Sequence, residues 1–140
     1  WKLDRDGNKA MFPFGFGCSY TTFSYSDVIV ENDGVVKVRC SVRNTGAHSG
    51  ATVVQVYAGR NESAMERPLR RLIAFKRVEV AAGETVQVEC EIPFQRFATR
   101  DVHSHSWFVE GGTWNCEVGQ FSGDPQSLSA FFHVPERIEL

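Results

Sequence analysis

Val36-Lys37-Val38-Arg39-Cys40-Ser41-Val42-Arg43 alternates without a break between small apolar and polar side chains. Successive side chains of an extended chain point to opposite faces. Val36, Val38, Cys40 and Val42 therefore share one face, and Lys37, Arg39, Ser41 and Arg43 the other. One face on a core and one in water is the signature of an antiparallel sheet, because parallel strands are buried on both sides and read as continuous apolar runs. Thr85–Ile92 repeats the pattern, with Val86, Val88, Cys90 and Ile92 inward, and Pro93 stops it.

Working outward, further strands are expected over residues 23–30, 51–58, 72–80, 113–120 and 128–134, with a short extended piece at 107–109. Asn32-Asp33-Gly34 and Ala81-Ala82-Gly83-Glu84 are turn signals between them. No helical periodicity, internal repeat or low-complexity stretch interrupts the series. The expectation is an all-β fold, an immunoglobulin-like sandwich of about seven antiparallel strands with an irregular N-terminal tail. Its core is expected to hold Val38, Cys40, Val42, Val54, Val56, Val88, Cys90, Ile92, Cys116 and Val118.

A chain of 140 residues fits one domain, and 42% apolar with 23% charged residues is ordinary for a globular one. The net charge of −2, with no basic block, argues against nucleic acid as a partner. No apolar run approaches the roughly 20 residues that a membrane-spanning helix needs, so a membrane partner is not expected either. The composition suits a cytoplasmic, periplasmic or secreted protein alike. The four cysteines, Cys18, Cys40, Cys90 and Cys116, contain no CxxC pair, which disfavours zinc and dithiol redox chemistry. Three of them fall in alternating apolar runs, and two readings stand: buried free thiols, or a Cys40–Cys116 bridge between the sheets, which would pinch a sandwich whose layers lie about 10 Å apart.

Acid–base hydrolysis by paired carboxylates needs two of them flanking one bond. Asp4 and Asp6 lie in the glycine-flanked tail, and Glu89 and Glu91 on the wet face of a strand, so both pairs read as solvated charge. Asp101-Val102-His103-Ser104-His105 places two imidazoles on one side of an extended chain, but a structural zinc wants four ligands and only Asp101 is a local third. No cofactor is expected. Trp107, Tyr57 and Tyr25 are the candidates for stacking on sugar rings, whereas Trp114 shares the core face of Cys116 and its indole N–H is free to make the bond of a tyrosine corner. Asn61-Glu62-Ser63 is a formal N-glycosylation acceptor.

Phe12-Pro13-Phe14-Gly15-Phe16-Gly17-Cys18-Ser19-Tyr20-Thr21-Thr22-Phe23 is an aromatic, glycine-rich run ahead of the strands. It resembles the signature that introduces the C-terminal fibronectin type III-like domain of family 3 glycoside hydrolases, the β-glucosidase and β-xylosidase group. Trp1-Lys2-Leu3-Asp4, Asn44-Thr45-Gly46 with Gly50, Val53-Val54-Gln55-Val56-Tyr57, Arg67-Pro68-Leu69 through Phe75, Ala82-Gly83-Glu84-Thr85 and Trp107 through Thr113 match that family in order. Cys18, Ala82, Gly112 and Trp114 depart from its usual Leu, Pro, Pro and Tyr. The resemblance implies a non-catalytic accessory domain that braces the catalytic domains of a retaining β-glucosidase-like chain, whose carboxylates lie upstream. Residues 1–20 would be the linker from an α/β domain, 21–135 the sandwich and 136–140 a loose tail. Trp1, Phe12, Phe14, Phe16, Arg67 and Arg70 would contact the catalytic domains. A carbohydrate-binding module, with an oligo- or polysaccharide as partner, and a protein-interaction sandwich are the alternatives.

Overall fold

The computed structural model describes residues 6–140, so Trp1 and Asp4 lie outside the described residues. Seven long strands form two facing sheets. β1 (Phe23–Asn32), β2 (Val36–Asn44) and β5 (Thr85–Ile92) make one, in the order β1-β2-β5. β3 (Gly50–Gly59), β4 (Arg71–Val80), β8 (Gly112–Gly119) and β9 (Leu128–Val134) make the other, in the order β4-β3-β8-β9. All pairings are antiparallel. Between the fifth and sixth of these long strands the chain forms a 3-10 turn at Phe94–Arg96, then β6 (Thr99–Arg100) and β7 (Trp107–Val109).

The alternation read from the sequence is the alternation of burial. In the β2–β5 register, Val36 faces Ile92, Val38 faces Cys90 and Cys40 faces Val88, while Lys37 faces Glu91 and Arg39 faces Glu89 on the wet side. All ten expected core residues are buried, and Trp114, Phe97 and Phe132 fill one end with edge-to-face ring contacts. Burying a Val, Leu, Ile or Phe side chain contributes about 1.5–3 kcal/mol, so this interior is the main stabilising element.

Three local readings are corrected. Ser41, placed on the wet face by its position, is buried. β1 bulges where Asp27 takes φ +54°, and the Asp27 carboxylate accepts a hydrogen bond from Ser41 Oγ at 2.9 Å. The bridged reading of Cys40 and Cys116 fails: all four cysteines are free thiols, three of them buried, and the sheets are not pinched together by a disulfide. The end of the chain is not loose. Ile138–Glu139 forms β10, paired with β7, and the Arg137 guanidinium sits 3.6 Å from the centroid of the Phe108 ring. Gly111 permits this approach, since a Cβ there would lie 2.8 Å from the Glu136 backbone.

Candidate docking surface of the tail

The aromatic tail is bound to the sandwich by its backbone. Pro13 to Phe16 is a tight turn closed by the Phe16 N–H donating to the Pro13 carbonyl at 3.0 Å, with Gly15 at φ +81°. That left-handed position favours glycine, and a Cβ would lie 2.1 Å from Gln55 Oε1. Gln55 on β3 is buried and acts as the clamp. Its Nε2 donates to the Gly15 carbonyl at 3.1 Å and to the Gln120 carbonyl at 2.5 Å, and its Oε1 accepts from the Tyr57 hydroxyl at 2.5 Å. The Ser122 N–H donates to the Phe14 carbonyl at 2.9 Å. Tyr57 is thus enclosed, and desolvation raises its hydroxyl pKa to about 12.

Further along, Asn44 is wholly buried and fully used. Its Oδ1 accepts from Thr21 Oγ1 at 2.7 Å and from the Gly46 N–H at 3.0 Å, while Nδ2 donates to the carbonyls of His48 and Val80. Gly46 and Gly50 lie so close to Thr21 that a Cβ at either would collide with its side chain. The glycines of this loop are therefore spacing elements that seat the tail where it enters β1.

With the backbone bound, the rings face out. Phe12 is 70% exposed, Phe14 68% and Phe16 44%, and Met11 and Tyr20 are also open. Phe16 meets Phe121 edge-on at 5.2 Å and Phe12 at 6.0 Å. Phe12, Phe16 and Phe121 thus form a row of neighbouring rings beside a held backbone, with Phe12 and Phe16 open to solvent.

The other candidates are placed differently. Arg67 is turned inward: it pairs with Glu110, and its guanidinium carbon and that of Arg60 lie 5.1 and 5.2 Å from the Trp114 ring centroid. Desolvation lowers the Arg67 pKa, opposed by the Glu110 charge. Ser63 Oγ and the Ala64 N–H complete the shell of Glu110, and the Trp114 indole N–H donates to the Glu110 carbonyl at 3.0 Å. Arg70 is more open and pairs with Glu117 at 2.8 Å, which also accepts from Ser127. Sequence reasoning missed Glu110 and Glu117, because charged residues beside loops read as solvated and their partners lie more than 40 residues away along the chain.

Of the stacking candidates, Tyr57 is buried, Tyr25 is half-buried with its hydroxyl 3.2 Å from Thr52 Oγ1, and Trp107 is 52% exposed at the end of β7. In the Asp101 loop the carboxylate is spent locally. Oδ1 accepts the N–H groups of His103 and Ser104, which lower its pKa first, and Oδ2 meets Arg137 at 3.3 Å. Among the described residues no three His, Cys, Asp or Glu side chains gather as a metal site.

The profile of the fibronectin type III-like domain matches residues 52–122, from β3 to the turn after β8. The chain belongs to this family. Relatives of the fibronectin type III-like domain include a probable β-glucosidase K of Emericella nidulans, 41% identical over 86% of this chain and 13% of its own length. A probable β-glucosidase M of Aspergillus fumigatus is 34% identical over 92% of this chain and 19% of its own. Among solved structures, β-glucosidase 3B from Thermotoga neapolitana in complex with glucose superposes with a TM-score of 0.90 at 33% identity, covering 99% of this chain and 19% of that one. The chain thus spans under one fifth of the length of these β-glucosidases.

Proposed function

We propose that this chain is a non-catalytic accessory domain of a β-glucosidase-like family 3 glycoside hydrolase, and that it braces the catalytic domains of the same polypeptide. The observation that carries this reading is the tail: Phe12, Phe14 and Phe16 expose their rings while Gln55, Gln120 and Ser122 hold the backbone beneath them. A rigid apolar surface supports docking to another folded body, and relatives five times longer supply one in the same chain. Residues 1–20 then serve as the linker and 21–135 as the sandwich. Phe12, Phe14 and Phe16, with Arg70 at the side, make the contact, and Arg67 acts indirectly by holding its loop.

The test is made in the full-length hydrolase. Fully burying a Phe is worth about 1.5–3 kcal/mol. Phe14→Ala and Phe16→Ala should each lower Tm while kcat on aryl β-glucosides stays near its original value. A large fall in kcat at unchanged Tm would place the tail in the active site and reject bracing.

A further inference from the structure

On the outer face of the β8–β9 pair, Asn115 lies directly opposite Phe131 and Thr113 opposite His133. The Arg60–Asn61 segment walls this face on one side, enclosing a groove of about 420 Å³. The Phe131 ring is 59% exposed along it. The rest of the lining has unspent hydrogen-bonding capacity. Asn115 Oδ1 is buried and has no donor among the described residues. Buried polar atoms are almost always paired, so an orphan of this kind calls for a partner. The χ2 torsion of Asn is soft, so an incoming hydroxyl can draw the amide toward the groove.

Arg60 is held ready. Its Nη1 donates to the carbonyls of Glu110 and Gly111 at 3.1 and 2.8 Å, and its Nε to the Glu62 carbonyl at 2.9 Å. Gly112, at φ +112°, leaves room for Nη2, which a Cβ would approach to 2.8 Å. Nη2 is the guanidinium nitrogen left over from these bonds, on a side chain that is 9% exposed. The Glu110 carboxylate lies 3.9 Å from Arg60 Nε and is shared with Arg67.

One flat apolar ring beside amide, hydroxyl, imidazole and guanidinium groups matches a ligand with apolar C–H faces and a hydroxylated rim. We propose that this groove is a binding subsite for a neutral β-linked glucose oligosaccharide, with one pyranose ring stacked on Phe131 and its hydroxyls bonded by Arg60, Asn115 and His133. β-Linked glucose carries its substituents equatorially, which leaves the ring faces flat enough to lie on an aromatic side chain. The subsite is on the sandwich itself, away from the tail, and does not depend on the bracing role.

The test is a titration of the 140-residue chain with cellotetraose, followed by backbone amide NMR shifts. Saturable shifts at Thr113, Asn115, Phe131 and His133 are expected, with Kd on the order of 1 mM. Phe131→Ala removes an exposed ring without disturbing the core and should weaken binding by about tenfold. Trp107→Ala, on the separate β6–β7–β10 sheet, should leave it unchanged. Absence of saturable shifts, or binding that survives Phe131→Ala, or shifts centred on Trp107 or the tail, would overturn the subsite.

Discussion

Glu110 is the residue on which one side of the molecule turns. Its side chain is 12% exposed, as is that of its partner Arg67, and the pair lies beside the buried Trp114. Removing one member of such a pair leaves an uncompensated charge out of water, which costs about 3–5 kcal/mol in fully buried cases. Glu110→Ala should therefore destabilise the chain by about 3 kcal/mol in urea melts, since Arg60 and Arg67 lose the carboxylate they share. Glu110→Gln keeps one of the two oxygens that accept from Ser63 and Ala64 and should cost less. Equal, small effects from both would mean that the pair is solvated. The same cluster explains Trp114 in place of the family's usual Tyr: the indole N–H reaches the carbonyl four residues upstream, and its faces receive the two guanidinium groups.

At the scale of elements, the strands differ in how they hide their thiols. Cys40, Cys90 and Cys116 sit in β2, β5 and β8 with their side chains inward, while Cys18 lies on the tail and is exposed. Burial pushes the Cys40 thiol up to about 11 and the Cys116 thiol up to about 12, and raises that of Cys90. The thiolate is the reacting species, so a native-state titration with a disulfide reagent near pH 8 should modify one thiol quickly, and denaturation should release the other three. Fast labelling of two or more in the native chain would show that the strands open readily. A Cys18→Ser variant should abolish the fast phase and leave the melting transition unchanged.

Across the whole molecule, stability should depend on acid in a defined direction. Asp27, Glu89 and Asp101 each have a lowered pKa: Asp27 through the Ser26 and Ser41 hydroxyls, Glu89 through Arg39, and Asp101 through two backbone N–H groups. A depressed carboxylate favours the folded state above its unfolded pKa, here 3.8 for Asp and 4.5 for Glu, and this contribution is lost as pH falls through the lower folded value. Tm should be flat from about pH 7 to 5 and drop steadily below about 4. Added salt should diminish the part due to the exposed Arg39–Glu89 pair. A Tm that rises on acidification would contradict the sign of all three shifts.

The period-two alternation of 36–43 and 85–92, the two turn signals and the stopping proline are local properties, and they sufficed for seven strands and the ten core positions. The glycine-rich aromatic run was legible as a segment outside the strands, and its rings are exposed. Only tertiary structure decided which polar groups that interior would accept. Ser41 is buried because a bulge brings Asp27 over it, Arg67 turns inward because Glu110 arrives from 43 residues away, and Tyr57 is enclosed because the tail folds across β3. The same holds for β10, whose two residues carry no strand signal and pair because Gly111 lets the backbone approach. Apolar burial follows a period along one strand, whereas a buried polar group needs a partner, and here those partners come from distant parts of the chain.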